Sequence, residues 1–102
     1  MDNTLKEIIK RIVQTIEPDK IILFGSRSKG KAKETSDYDL CVLKKGIAEK
    51  RRLTQEIYRK LFGVGASVDV IVETPEEFDA LKDKWFLIYS QIARFGRVVY
   101  EK

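Results

Sequence analysis

There is no histidine in the 102 residues. That absence removes Ser-His-Asp and Cys-His catalysis, imidazole general bases and most zinc sites. A single cysteine, Cys41, excludes an intramolecular disulfide. No apolar run approaches the roughly 20 residues of a membrane-spanning helix. The opening MDNTLKEIIK also lacks the basic-then-apolar layout of a secretory signal. The expectation is therefore a cytoplasmic chain with no membrane role. Repeats, low-complexity tracts and linkers are missing too, so residues 1–102 are expected to form one domain around one core. Without histidine, any metal must be held by oxygen, which selects Mg²⁺, Mn²⁺ or Ca²⁺. Acid–base work then falls to Asp, Glu, Lys, Tyr or Cys.

What is present fits a folded domain. Hydrophobic residues make up 43% and charged residues 35%, a balance that disordered chains do not show. The net charge of +4 suits a phosphate-bearing or acidic partner. From Lys44 to Lys60 seven basic residues stand against two acidic ones, a local surplus of five. A solvated helix face accounts for most such runs. No helix-turn-helix or zinc-finger spacing accompanies it, so direct nucleic-acid binding is not expected.

Hydrophobic spacing lays out the elements. Leu5, Ile8, Ile9, Ile12, Val13 and Ile16 form one helical stripe, with Thr4 and Glu7 as a capping box and Pro18 as the stop. Lys20–Phe24 is a short buried strand running into the Gly25-Ser26 turn, and residues 27–36 read as a polar loop or brief helical turn. Asp37–Leu43 is a second strand with Asp37, Asp39, Cys41 and Leu43 on one face. Residues 47–62 form a second helix ended by Gly63, and Ser67–Glu73 is a third strand. Thr74-Pro75-Glu76-Glu77 opens a helix to about Lys82. Another helix spans about Trp85–Phe95, and Arg97–Glu101 is a final edge strand. The fold class is α/β (α+β), in the order α-β-turn-β-α-β-α-α-β.

Three features carry chemistry. Gly25-Ser26 follows a buried strand, where glycine lets the backbone turn sharply and approach a ligand. If a helical turn opens there, its free N–H groups and the Ser26 hydroxyl make an anion site. Asp37-x-Asp39 puts two carboxylates on one side of a strand otherwise built of Leu, Cys and Val, with no Lys or Arg among them. A hard divalent cation is the natural counter-charge. Asp69 stands among Val68, Val70 and Ile71 and would complete a three-carboxylate cluster if its strand lies beside the second. Each feature has a bland reading: an ordinary turn, a solvent-edge pair, an exposed strand position. Together they describe a phosphate-binding turn beside a carboxylate metal site. That arrangement suits phosphoryl or nucleotidyl transfer, in which two metals about 3.5–4 Å apart clamp attacking and leaving oxygens. Residues 25–32 also fit G-x-x-x-x-G-K, the start of a P-loop, but Ala32 stands where Ser or Thr must hold Mg²⁺, and a strand begins too soon afterwards.

Gly25-Ser26, ten intervening residues, Asp37-x-Asp39 and a later isolated strand aspartate form a pattern that resembles the DNA polymerase beta-like nucleotidyltransferase superfamily. Within it, GSRSKG…SDYDL and the tail QIARFGRVVYEK look like the minimal nucleotidyltransferases, antitoxins paired with HEPN-domain toxins. The resemblance implies the nucleotidyltransferase fold, a small mixed sheet with helices packed on it. It implies that Gly25 and Ser26 contact the nucleotide's terminal phosphates, with Arg27 and Lys29 as further candidates. Asp37, Asp39 and Asp69 would ligate two Mg²⁺ ions, Asp69 also helping to deprotonate the attacking hydroxyl. The implied reaction moves AMP from ATP to a hydroxyl, the acceptor being a tyrosine of a HEPN toxin in a hetero-oligomer. The alternatives are a catalytically silent module that neutralises a partner by contact, through the basic segment and Trp85, Phe86 and Tyr89, and a nucleotidyltransferase acting on a small molecule or RNA end. Cys41 reads as a small buried residue.

Overall fold

The first helix, α1 (Asn3–Ile16), turns Leu5, Ile8, Ile12 and Ile16 into the core of the computed structural model, which describes residues 2–30 and 37–102. Its start differs from the expected capping box. Asp2 is the cap: its carboxylate accepts from the Leu5 amide at 2.6 Å and from the Tyr38 hydroxyl at 3.1 Å, while Thr4 lies inside the helix. A carboxylate satisfies the free amides of a first turn better than a hydroxyl one residue in can. The helix ends at Ile16. Glu17 adopts a left-handed conformation and donates its amide to Val13, and buried Pro18 follows.

Four strands make one mixed sheet in the order β3-β2-β1-β4: β1 (Lys20–Phe24), β2 (Tyr38–Leu43), β3 (Val68–Glu73) and β4 (Arg97–Glu101). β1 pairs antiparallel with β2 and with β4, and β2 runs parallel to β3. The alternation of the strands sorts the side chains onto two faces. Ile21, Leu23, Tyr38, Leu40, Val42, Val68, Val70 and Val72 join α1 and the helix α2 (Lys50–Leu61) in the main core. Ile22, Cys41 and Leu43 point the other way and pack with Ile92 of the last helix. Arg11 ties the two helices of the main-core side together by donating to the Lys60 and Phe62 carbonyls, which the end of α2 leaves free.

Two helix starts fall later than the spacing suggests. α2 begins at Lys50, because Gly46 turns the chain and Ile47 packs on the core from the loop. The shortest helix, α3 (Pro75–Leu81), opens as read: Thr74 Oγ1 accepts from the Glu77 amide at 3.1 Å. The last, α4 (Ile88–Phe95), begins at Ile88 rather than near Trp85. Residues 84–87 form a turn, the Leu87 amide donating to the Lys84 carbonyl at 2.9 Å. Trp85 shares the apolar spacing of α4 but is 84% exposed, so no burial rewards extending the helix to it. No helix among the described residues is long and apolar enough to cross a membrane.

Candidate active site

The register of β2 decides what its second face presents. Asp39 stands opposite Phe24 of β1 and directly beside Asp69 of β3. Both acids lie on the face that Cys41, Leu43 and Ile71 share farther along the strands. α4 covers that far part, and the end with the aspartates stays open. Asp37 precedes β2 and is exposed, as is Asp69; Asp39 is half-buried. The strand therefore brings Asp39 and Asp69 together and leaves Asp37 at the rim.

The electrostatics record this crowding. Burial raises the Asp39 carboxyl above the ordinary aspartate range, and the charges of Asp69 and then Asp37 push in the same direction. The hydrogen-bonding approach of Asp39 to Asp69 adds a smaller push in the same direction. Among the described residues no group of three or more His, Cys, Asp or Glu side chains is gathered tightly enough to hold a metal ion. The arrangement is a close pair with a third carboxylate near enough to be felt. Its donors are all oxygen and its charges repel one another, a set that suits a hard divalent cation such as Mg²⁺.

Gly25 is fitted to Asp39. β1 ends in a three-residue 3₁₀ turn, Gly25–Arg27, and Gly25 has φ +73°. A Cβ at this position would overlap the Asp39 carboxylate. The glycine thus serves both the turn and the close passage of backbone past an acid. Ser28 closes the turn, its amide and hydroxyl both donating to the Gly25 carbonyl at 3.2 and 2.8 Å. Ser26 is exposed at the apex. Among the described residues this turn opens no long helix of the kind that a P-loop opens. The Lys31-Ala32 end of that motif, and the loop to residue 36, lie outside the described residues.

The two basic candidates separate. The Arg27 guanidinium stacks 3.8 Å above the Tyr38 ring, whose side chain belongs to the α1 face of the sheet. Lys29 places its ammonium 4.9 Å from the Phe95 ring and lines a cleft of about 370 Å³ with Gly25 and Asp39. Phe24, Ile88, Gln91 and Phe95 complete that cleft. Those of α4 were not legible as site residues: helical spacing marks Ile88 and Phe95, but nothing in it says which face of the sheet the helix covers.

One buried carboxylate does other work. Glu73 is 3% exposed on the same face. Burial pushes its carboxyl up, but hydrogen bonds from the Tyr89 hydroxyl at 2.8 Å, Lys50 at 3.1 Å and the Thr74 amide at 3.1 Å outweigh that and leave it below the ordinary glutamate range. Glu73 thereby joins α2, β3 and α4. A lowered carboxyl contributes stability above its unfolded-state pKa and loses it as pH falls through the folded value. Lys50 is half-exposed, so water screens its share. Tyr89→Phe should cost about 1–3 kcal/mol, since it strips a buried carboxylate of a partner. Lys50→Gln should cost less, about 0.2–1 kcal/mol. Urea denaturation at pH 7 checks the order, and a larger loss for Lys50→Gln would show the ammonium to be the main partner. Burial pushes the Cys41 thiol up to about 12, with Glu73 nearby adding to the rise, so it stays a protonated core side chain.

A family model described as nucleotidyltransferase domain matches residues 3–91. No curated protein matches the chain. Solved structures share the fold, among them the following three. A Sulfolobus solfataricus protein named for a suspected nucleotidyltransferase activity is similar with TM-score 0.69 and 22% identity over 97% of this chain and 78% of its own. A toxin–antitoxin structure with AMP-PNP gives TM-score 0.64 and 23% identity, covering 99% of this chain and 75% of that one. The toxin–antitoxin MntA-HpeT, carrying two aspartate-to-glutamate substitutions, gives TM-score 0.63 and 21% identity with coverage of 99% and 75%.

Proposed function

The chain belongs to the nucleotidyltransferase domain family, and on that premise we propose that it transfers AMP from ATP to a hydroxyl of a protein partner. The observation that carries this reading is the meeting of Asp39, Asp69 and Gly25: two crowded carboxylates at the end of a glycine turn, beside a cleft with one lysine. Gly25 and Ser26 would hold the terminal phosphates, and Lys29 has the position to pair with them. Arg27 reaches phosphate only by leaving its stack on Tyr38.

Asp39 and Asp69, with Asp37 closing in from the rim, would hold Mg²⁺. The ion would relieve their mutual repulsion and offset charge on the α-phosphate. Transfer forms a bond from the acceptor oxygen to the α-phosphorus and breaks the bond from that phosphorus to the bridging oxygen of the β-phosphate, releasing pyrophosphate. The acceptor proton passes to a carboxylate, and Asp69 is the exposed member of the pair and the better placed to take it.

The acceptor proposed is a tyrosine of a HEPN-domain toxin, with this chain as the antitoxin of the pair, working as a single domain in the cytoplasm. The resemblance of residues 25–40 to the minimal nucleotidyltransferases supports this, as do the two toxin–antitoxin structures that share the fold. The test is to incubate the protein with ATP labelled at the α-phosphate, Mg²⁺ and the product of the neighbouring reading frame. Label should appear on a tyrosine of that product. Ser26→Ala should raise the KM for ATP about 10-fold, the scale of one lost hydrogen bond to a charged group, without changing the melting temperature. A tight complex with no label transfer would turn the reading toward neutralisation by contact alone.

A further inference from the structure

Two hollows meet at Gln91. One is the cleft with Gly25, Asp39 and Lys29. The other, of about 650 Å³, is walled by Lys82, Asp83, Trp85, Gln91, Ala93 and Arg94. Gln91 lines both, so the second hollow adjoins the cleft that holds Asp39. At its edge Trp85 is 84% and Phe86 65% exposed, their rings 5.8 Å apart edge to face. Adjacent large aromatics left in water are costly, and such patches on soluble domains mark docking surfaces. Ile88 and Phe95 carry the apolar surface from these rings to the cleft.

The charges around the rings restrict the occupant. Lys82 is paired with Asp79 at 2.6 Å, but Arg94 stands exposed in the wall and Lys84 is exposed next to Trp85 in the chain, and the Arg94 guanidinium lies 5.6 Å from the Phe95 ring. Asp83 is the one acid in the wall of the hollow. From this wall a second copy of this chain would bring Asp83 alone to meet these cations. A small acceptor would leave Trp85 and Phe86 uncovered.

We propose that this hollow docks the acceptor, and that the acceptor is a protein segment with an apolar anchor flanked by acidic side chains. The anchor fills the space beside Trp85 and Phe86, the acids meet Arg94 and Lys84, and Gln91 leads the hydroxyl to Asp39. This rests on the transfer reading above, but docking and transfer fail separately.

The probe is the product of the neighbouring reading frame, titrated against the full chain. Trp85→Ala with Phe86→Ala should raise the KM for that acceptor roughly 30-fold, a typical loss for truncated anchor residues, with kcat unchanged. Phe62→Ala removes a ring that is 90% exposed beyond α2 and should change neither. Asp39→Asn should bind the acceptor as the parent does and transfer nothing. If no variant of this set transfers label, yet the paired alanines still weaken binding about 30-fold, the docking site stands and the transfer reading falls. An unchanged acceptor KM, or no complex with the parent chain, overturns the proposal. So does self-association of the parent that the paired alanines abolish, because the rings would then serve a second copy.

Discussion

Gly25→Ala should abolish nucleotidyl transfer while leaving a folded protein. Two independent costs meet at this position. The backbone sits at φ +73°, where a side chain costs about 1–2 kcal/mol. The added methyl would also overlap the Asp39 carboxylate, which can yield only by rotating away from Asp69 or by pushing the turn off the sheet. Either response separates the groups that transfer needs together. We expect a fall in melting temperature of about 4–8 °C per kcal/mol lost and a drop in kcat/KM of more than about 100-fold, since a misplacement near 1 Å already costs that much. Gly63 separates the two causes. It has φ +82° and open space where a Cβ would go. Gly63→Ala should therefore lose similar stability and keep full activity. If Gly25→Ala and Gly63→Ala transfer AMP equally well, the closeness of Gly25 to Asp39 has no catalytic meaning.

That same closeness shows how far the sequence alone reaches. Gly25-Ser26 after an apolar strand, and Asp37-x-Asp39 opening the next, are local patterns whose chemistry follows from residue type and the two-residue period of a strand. The pairing of Asp39 with Asp69 is not local. It depends on β3 lying parallel to β2 in one register, and a shift by one residue would put Val68 or Val70 beside Asp39. The apolar faces enforce that register, because Leu40, Val42, Val70 and Val72 must all turn toward α1 and α2. Asp37 shows the limit: period two puts it on the side of Asp39, but it precedes the strand, where no ladder fixes its distance from the pair.

Elements whose signals compete were read less well. Thr4 and Glu7 satisfy a capping pattern, yet Asp2 caps, its carboxylate taking both the Leu5 amide and the Tyr38 hydroxyl. Trp85 extends the apolar period of α4 but projects into water, and periodicity does not distinguish a ring that packs on its own core from one left exposed. Glu73 reads as the polar end of a strand. Its partners Lys50 and Tyr89 arrive from elements 23 and 16 residues away, distances over which no sequence pattern speaks.

Asp39→Asn should uncouple activity from stability in a way that a structural carboxylate cannot. Burial and the charges of Asp69 and Asp37 hold the Asp39 carboxyl above its unfolded-state pKa. A group raised in this way stabilises the fold while it is protonated, below its unfolded pKa, and that contribution is lost as pH rises through the folded value. At pH 7 without divalent metal the parent therefore carries a repulsive charge that asparagine lacks. The variant should melt higher there, by about 4 °C if the relief is near 1 kcal/mol. The difference should shrink as pH falls toward the aspartate range, where the parent takes up its proton. Mg²⁺ should reverse the order, raising the melting temperature of the parent and barely moving the variant, because ligand that binds only the folded state stabilises it. Transfer should fall by more than about 100-fold, since even a partner that merely orients a metal ligand is worth about 10- to 100-fold. A variant that melts well below the parent at pH 7 in metal-free buffer would mean that Asp39 holds the sheet together. In that case the crowding of Asp39 and Asp69 would be a feature of packing, and the transfer chemistry would have to sit elsewhere.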